Sequence, residues 1–457
     1  MNRSTIEALA GIVGAEHVLA EPDQLIAYGF DGTAAMTQRP AAVVFPRNRD
    51  QVAGVLRLAN QQRIPVVPRG SGTSLSGSAL PVPDGLVLCL AKMDRILEVD
   101  PANLQARVQP GVRTAMLNSA ALAHGLFYPP DPGSMAISTL GGNVNHNSGG
   151  LRGLKYGVTR DYILGLEVVL ANGDVLRTGS ACVKDSAGYR LKDLFIGSEG
   201  TLGIITEILV KLLPKPAAVK TLLASFASIR EAADTVSAII AHPVIPCTLE
   251  FLDRVTIQCV EEYANIGLPL DAGALLLMET DGHPAVVAEE AEVMTRIARD
   301  HGALFVRTAE TNADAEQLRT ARRSAFSALA RRSPTVILED ATVPRSRLAE
   351  MVVFIQETAE RHHLRVGTFG HMGDGNLHPT FLTDERDAGE MKRVHAAFTE
   401  IFEKAVALGG TITGEHGIGL AKKEFLPLVV DATGLRLHQA IKSALDPNGI
   451  LNPGKIF

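Results

Sequence analysis

The chain contains 457 residues, of which 46% are hydrophobic and 21% are charged, and its formal net charge is −6. A chain of this length is too long to fold around a single hydrophobic core, so two or three domains are expected. The mildly acidic balance excludes the basic surface of a nucleic-acid-binding protein, and no apolar run reaches the length of a membrane span. The four cysteines show no CxxC spacing and are expected to be buried, reduced thiols of a cytosolic protein.

Two patterns of secondary structure follow each other along the chain. Residues 1–37 form an N-terminal helical segment, and residues 41–215 indicate short strands with few helices. Here "AAVVFP", "DQVAGVLRLANQQ" and "IPVVP" predict a β-α-β unit, and "LEVVLANGDVLRTG" predicts a hairpin that turns at Asn172 and Gly173. After the linker-like "LLPKPAAVK", longer helices alternate with strands, which predicts an α+β domain whose antiparallel sheet is covered by helices.

Three glycine-rich loops lie in the first half: "PRGSGTSLSG" (68–77), "TLGGNVNHNSGG" (139–150) and "GSEGTLGII" (197–205). Such loops expose successive backbone N–H groups, which cradle phosphates without a charged side chain. The dinucleotide fingerprint fails because Leu75 stands where a glycine is needed, and no GxxxxGK[ST] occurs. Any one loop could be an ordinary surface turn. Three together favour a backbone that lies along an extended, phosphate-bearing ligand.

The stretch "GHMGDGNLH" (370–378) places His371 and His378 on either side of a helix-breaking core. We predict a hairpin in which Asp374 and Gly375 form a two-residue turn. In that register His371 lies directly opposite His378, with Cβ atoms about 5 Å apart. Two imidazoles that close could bind one metal ion. The alternative is a packed cross-strand pair without a metal.

A third ligand is available in "TITGEHGIG", where Glu415 and His416 follow a predicted strand. Two histidines and one carboxylate suit zinc, manganese or iron and leave a position open for substrate. His416 adjoins the candidate ligand Glu415, and histidine is the commonest general base. The sequence therefore offers a metal site with a base beside it.

The stretch "LRTARRSAFSALARR" (318–332) is predicted to be one helix with five arginines. A planar guanidinium suits the binding of a substrate carboxylate. Most of such a run forms a solvated face, and four of the five are expected there.

Six motifs in chain order resemble one known family: "PRGSGTSLSG", "GGNVNHNSGGLRGLKYG", "IGSEGTLGIIT", "GHMGDGNLH", "TGEHGIG" and "DPNGILNPGKIF". They are similar to the FAD-linked 2-hydroxyacid dehydrogenases of the vanillyl-alcohol-oxidase superfamily. That group contains D-lactate dehydrogenase, D-2-hydroxyglutarate dehydrogenase and the flavin subunit of glycolate oxidase. The resemblance implies a two-part FAD-binding domain (38–216), a substrate- and metal-binding domain (217–445) and a C-terminal segment that returns to the flavin (446–457).

The resemblance also assigns the FAD-binding residues. The first loop would hold phosphate oxygens through Arg69, Gly70, Ser71, Gly72, Thr73 and Ser74. The flavin ring and the ribityl chain would be lined by Pro132, Gly133, Thr139, Gly142, Asn143, Asn145, Gly149 and Gly150. Gly200 and Ile205 would flank the adenosine, and Asn452 would return to the flavin. Because the first loop has no histidine at Thr73 or Ser74, FAD is expected to be non-covalent, and His146 is expected to be hydrogen-bonded rather than a tether.

The same resemblance assigns His371, His378 and Glu415 as ligands of a divalent metal, with zinc favoured. It makes His416 the base and Arg322 the carboxylate-binding arginine. The arginines expected on the solvated face are then Arg319, Arg323, Arg331 and Arg332. Hydroxyglutarate-specific members hold a second carboxylate with a threonine and a lysine, where this chain has Phe326 and, in a looser alignment, Leu338. The implied reaction is oxidation of a D-2-hydroxy acid, with D-lactate or glycolate favoured over D-2-hydroxyglutarate.

Two further questions stay open at this level. A metallohydrolase that uses the His-His-Glu set is the alternative from another class of enzyme. Without a cysteine set for an iron–sulfur cluster, electrons must leave to a quinone, a cytochrome, an electron-transfer flavoprotein or a partner subunit. The chain is expected to be cytoplasmic or peripheral to a membrane, as a homodimer or as one component of a larger complex.

Overall fold

A computed structural model describes all 457 residues. The chain forms two compact units. The first unit comprises Met1–Ser148, Val158–Lys215 and Glu415–Phe457, and the second comprises Gly149–Gly157 and Pro216–Gly414. None of the helices combines the length and the apolar composition needed to cross a membrane.

The helices are, in chain order, α1 (Arg3–Val13), α2 (Pro22–Leu25), α3 (Arg49–Gln62), α4 (Thr114–Leu122), α5 (Leu140–His146), α6 (Gly153–Tyr156), α7 (Lys192–Phe195), α8 (Ile229–Ala241), α9 (Arg254–Ala264), α10 (Pro284–Asp300), α11 (Asn312–Arg323), α12 (Ala325–Ala330), α13 (Leu348–Arg361), α14 (Ala388–Ala407) and α15 (Ala432–Leu445). The strands are β1 (Val18–Leu19), β2 (Ala42–Val44), β3 (Val66–Arg69), β4 (Leu86–Cys89), β5 (Ile96–Asp100), β6 (Gln105–Val108), β7 (Leu126–Phe127), β8 (Ile163–Val169), β9 (Val175–Gly179), β10 (Ile204–Lys211), β11 (Leu213–Pro214), β12 (Ala218–Phe226), β13 (Thr248–Asp253), β14 (Ala274–Gly282), β15 (Ala303–Thr308), β16 (Thr335–Leu338), β17 (Ala341–Thr342), β18 (Arg365–His371) and β19 (Asn376–Thr383).

The first unit contains a small, mostly parallel sheet in the order β1-β2-β4-β3. The predicted β-α-β unit is present: α3 lies between β2 and β3, and its start is fixed by Asn48, whose side chain accepts from Gln51 N. Valines and leucines of these strands pack against α1 and α3 in one buried core. The N-terminal segment is helical as predicted, but Val18–Leu19 also pair antiparallel with β2.

A second sheet of the first unit is antiparallel, in the order β5-β6-β10-β8-β9. The predicted hairpin at Asn172 and Gly173 is confirmed, since Val169 pairs with Val175. Gly173 adopts φ +83°, a left-handed conformation that glycine takes without strain. These two sheets form the two-part architecture expected of the first domain.

The second unit is built on an eight-stranded antiparallel sheet, in the order β15-β12-β14-β13-β18-β19-β16 with β17 also on β19. Helices α8, α10, α13 and α14 pack in one group, and α9, α11 and α12 in another. The predicted α+β fold with a helix-covered antiparallel sheet is confirmed. All four cysteines are free, but the expectation that all are buried is wrong for Cys182, which is exposed in the loop after β9.

Candidate cofactor and metal sites

The three glycine-rich loops of the first unit converge. A side chain at Gly70 would overlap with Thr139, and one at Gly200, where φ is +71°, would overlap with Pro68. Asn145 joins the second loop to the third, because its Oδ1 accepts from Gly200 N at 2.9 Å. The close approaches explain why glycine is needed at these points, and glycine-rich loops of this kind can present backbone N–H groups to a phosphate-bearing ligand.

Asn452 links the C-terminal segment to the region of these glycine-rich loops. Its backbone N–H donates to Val66 O at 2.8 Å, and its side-chain amide donates to Ser78 O at 3.0 Å and to Glu199 O at 2.7 Å. Asn452 is buried, and its Oδ1 has no hydrogen-bond partner in the protein. A buried acceptor of this kind calls for a donor from a ligand, so the residues present fit a bound FAD.

Several residues predicted to bind FAD have contacts within the protein. The Arg69 guanidinium donates to Phe30 O at 2.7 Å and lies 5.8 Å from the centre of the Tyr28 ring. Thr139 caps α5 through Gly142 N, and Asn143 donates to Thr114 Oγ1 at 2.6 Å. These side chains therefore stabilise the conformation of the loops, and the loop backbone would contact the ligand.

The remaining predicted residues are distributed over both units. Gly70, Ser71, Gly72, Thr73 and Ser74 follow β3, and Ile205 is buried in β10. Pro132 and Gly133 lie in the loop before α5, whereas Gly149 and Gly150 belong to the second unit.

The turn that carries His416 is anchored by two side chains of the first unit, the buried Glu199 and the half-buried His146. Glu199 accepts from Ile418 N at 2.7 Å and from Gly419 N at 2.8 Å, and burial raises the pKa of its carboxyl. His146 Nδ1 donates to His416 O at 2.9 Å, and its Nε2 is 2.8 Å from Ser78 Oγ. Sequence reasoning missed Glu199, although a charged residue in the middle of a glycine loop was a signal.

The predicted hairpin exists, but its register differs from the prediction by two residues. Met372–Asp374 form one 3-10 turn, and Gly375 closes it with φ +80°. His371 therefore pairs with Asn376, and His378 pairs with Phe369. A shift of two keeps every side chain on its face of the sheet, so the histidines are diagonal neighbours. Their ring centroids lie 5.2 Å apart, and the rings are nearly perpendicular at 89°.

Glu415, the third candidate ligand, follows Gly414, which lies beside this hairpin. Gly414, the last residue of the second unit, donates its N–H to Asp340 Oδ2 at 2.7 Å and lies against Asn376. The strand predicted before Glu415 is reduced to a single bridge between Thr342 and Thr411. One ligand atom each of His371, His378 and Glu415 lies within 4.8 Å of the other two. This donor set fits a divalent transition metal with an open coordination position.

Glu250 links the hairpin to the arginine helix. It pairs with His371 across β13 and β18, and its Oε1 lies 2.7 Å from His371 Nδ1. Its Oε2 lies 2.5 Å from Arg322 Nη2, and the guanidinium lies 4.9 Å from the centre of the Phe369 ring. All these side chains are buried, and Arg322 Nε has no hydrogen-bond partner in the protein. Sequence reasoning missed Glu250, and its only signal was a glutamate between the apolar residues Leu249 and Phe251 of the strand "TLEFLD".

The predicted arginine helix is two helices, α11 and α12, which break at Ser324. Arg331 and Arg332 are exposed as expected, and Arg323 is half-buried. The prediction that Arg319 faces solvent is wrong, because it forms an ion pair of 2.7 Å with buried Glu279. Phe326 is half-buried on α12, and Leu338 is buried in β16.

Comparisons with known proteins find matches along nearly the whole chain. Residues 40–179 match the FAD binding domain family, and residues 215–456 match the C-terminal domain of FAD linked oxidases. The chain is 54% identical over 451 residues to glycolate oxidase subunit GlcD of Bacillus subtilis (strain 168), which covers 99% of this chain and 96% of that relative. It is 37% identical over 431 residues to D-lactate dehydrogenase of Anaerostipes hadrus, covering 92% of this chain and 90% of that relative. The fold matches that of p-cresol methylhydroxylase with a TM-score of 0.81 at 22% identity, over 99% of this chain and 96% of that structure.

Proposed function

Because the chain belongs to the FAD-linked oxidases of the vanillyl-alcohol-oxidase superfamily, we propose that it oxidises a D-2-hydroxy acid to the 2-oxo acid. D-Lactate and glycolate are the favoured substrates. The names of two relatives, glycolate oxidase subunit GlcD and D-lactate dehydrogenase, support this substrate class.

One relationship carries the proposal: Glu250 contacts both the candidate metal ligand His371 and the candidate carboxylate-binding Arg322. A 2-hydroxy acid presents a hydroxyl and a carboxylate on adjacent carbons. A Lewis acid and a cation held close together would recognise both groups, and these residues offer that arrangement.

Each residue then has a defined task. Arg322 binds the substrate carboxylate through its buried Nε–H, which has no partner in the protein. His371, His378 and Glu415 would hold the divalent ion, with zinc favoured, and the ion would lower the pKa of the substrate hydroxyl. His416 accepts the hydroxyl proton as general base.

The converging loops and Asn452 would hold FAD, which would serve as the two-electron acceptor for the hydride from C2. The oxidation therefore balances, since the alcohol loses one hydride and one proton and becomes a ketone or aldehyde. The electrons then pass to a separate acceptor: a quinone, a cytochrome, an electron-transfer flavoprotein or a partner subunit.

The pocket residues favour a substrate with a single carboxylate. Phe326 and Leu338 carry no charge for a distal carboxylate, and Arg319 is already neutralised by Glu279. An unpaired carboxylate in a buried site costs on the order of several kcal/mol. D-2-Hydroxyglutarate is therefore the weaker candidate.

A screen with purified protein tests this proposal. D-Lactate, glycolate, other D-2-hydroxy acids and their L-enantiomers are mixed with an artificial electron acceptor, and acceptor reduction is followed. We expect yellow protein that turns over D-lactate or glycolate. Colourless protein that hydrolyses esters or amides in a metal-dependent way would instead support a metallohydrolase that uses the His-His-Glu set.

A further inference from the structure

We propose that Glu250 is a positioning residue that couples the metal-binding histidine to the carboxylate-binding arginine, so that one buried carboxylate organises both halves of substrate recognition. This inference rests on the proposed function, because it takes the roles of His371 and Arg322 from there. It adds a residue that no sequence motif indicated.

The geometry fixes the orientation of His371. Only a ring N–H donates to a carboxylate, so His371 Nδ1, 2.7 Å from Glu250 Oε1, carries the hydrogen. In this tautomer Nε2 carries the lone pair, so a metal would be bound through Nε2. Carboxylates that hold a ligating histidine in this way fix its tautomer and raise its basicity.

The second oxygen of Glu250 fixes the guanidinium. Oε2 lies 2.5 Å from Arg322 Nη2, while the Phe369 ring lies beside the guanidinium at 4.9 Å. The guanidinium is thus held by an ion pair on one side and a ring on another, and its buried Nε and Nη2, which make no hydrogen bond within the protein, can donate to an incoming carboxylate. Because the pair is buried, rotation of Arg322 away from Glu250 would leave an unpaired charge and is unfavourable.

The chain contains a matched pair that separates this role from simple ion pairing. Arg319 lies three residues before Arg322 on α11 and forms a 2.7 Å ion pair with buried Glu279 on β14. Glu279 bonds to the hydroxyls of Thr221 and Thr248 rather than to a histidine. Both ion pairs join α11 to a buried glutamate of the same sheet, although Arg319 is more exposed than Arg322, and only Glu250 contacts a candidate metal ligand.

The test compares Glu250→Gln, Glu250→Asp and Glu279→Gln. Each protein, loaded with FAD and stripped of metal with a chelator, is titrated with zinc and with manganese in competition with a chromophoric chelator. Loss of an outer-shell carboxylate typically weakens metal affinity by about tenfold to a hundredfold, and we expect this for Glu250→Gln. Glu279→Gln should bind metal like the wild type, even if both glutamine variants lose similar thermal stability.

Stopped-flow flavin reduction at saturating metal supplies the second readout. We expect the substrate concentration for half-maximal rate to rise in Glu250→Gln, because Arg322 loses its fixed orientation. Glu250→Asp keeps a negative charge beside the buried Arg322. This variant is therefore expected to fold even if Glu250→Gln does not. Its shorter side chain should still weaken metal binding.

Wild-type metal affinity in both Glu250 variants, with unchanged substrate dependence, would overturn the inference. That outcome differs from failure of the proposed metal site itself, which would show as absent metal binding in the wild type or as unchanged metal binding in His378→Ala.

Discussion

The side-chain amide of Asn452 donates to the backbone carbonyl of Glu199 at 2.7 Å, across 253 residues of sequence. The carboxylate of that glutamate accepts from Ile418 N and Gly419 N. The C-terminal segment, the third glycine loop and the turn that carries His416 are thus joined in one buried network. This network ties the proposed flavin site to the position of the proposed base.

The first prediction follows from that network. Asn452→Ala removes two hydrogen bonds and leaves the carbonyls of Ser78 and Glu199 buried without this donor, which costs about 1–3 kcal/mol. We expect FAD to be retained about tenfold less tightly, measured from flavin absorbance in the filtrate of diluted holoprotein. Asn448→Ala, which removes the exposed contact with Asn60, is the matched control. Equal FAD retention in both variants would show that Asn452 does not contribute to FAD binding.

The second prediction concerns the attachment of FAD. Thr73 and Ser74 occupy the first loop, and His146 is hydrogen-bonded through both ring nitrogens. We therefore expect all flavin to appear in the supernatant after acid precipitation. Yellow colour that stays with the washed precipitate would show a covalent link.

The third prediction separates metal ligand from base. His378→Ala removes one ligand of a three-residue set and should lower metal occupancy while FAD remains. His416→Ala should keep metal and FAD but reduce its flavin about a hundredfold to ten-thousandfold more slowly, the usual range for loss of a general base. Metal analysis and stopped-flow absorbance of both proteins provide the measurement. A His416→Ala protein without metal beside a His378→Ala protein with metal would reverse the two assignments.

The fourth prediction concerns stability and pH. Asp253 is buried, caps α9 through Thr256 N and accepts from Thr368 N, each at 2.8 Å. Burial raises the pKa of its carboxyl to about 6, against the hydrogen bonds from Thr256 and Thr368. The native state therefore binds more protons than the unfolded state between about pH 4 and pH 6, so this carboxyl's contribution to the free energy of unfolding decreases as pH rises through that window.

The size of this effect is on the order of 2–3 kcal/mol. Asp253→Asn should remove this pH dependence, so the melting temperature of the wild type should fall relative to that of the variant as the pH rises from about 4 to about 6. Thermal melts in matched buffers at constant ionic strength provide the measurement. A difference that stays constant with pH would contradict the assignment of this titration to Asp253.

The comparison of sequence and structure shows where local patterns are sufficient. The pattern around "GHMGDGNLH" predicted a hairpin with both histidines on one face, and both features are present. The register was wrong by two because the turn is a four-residue loop closed by Gly375 rather than a two-residue turn. A shift by an even number preserves the face, which explains why the candidate ligand pair survives the error.

The missed residues have a different origin. Glu250 meets His371 across 121 residues, and Glu199 meets Ile418 across 219. Such contacts depend on the order of strands in a sheet and on the path of the C-terminal segment, which local periodicity does not encode. The same holds for Arg319. Its charge predicted a solvent-exposed position, but its ion-pair partner Glu279 lies on a strand in another part of the chain.

Anaerobic flavin reduction tests the central claim most directly. Holoprotein is mixed with D-lactate, with glycolate and with D-2-hydroxyglutarate, in parallel samples with bound metal and after chelation, and flavin absorbance is followed. We predict rapid bleaching by D-lactate or glycolate, slower bleaching by D-2-hydroxyglutarate, and strong loss of rate after chelation that added zinc or manganese restores. An oxidised flavin spectrum that persists with every D-2-hydroxy acid in the metal-loaded protein would contradict the account.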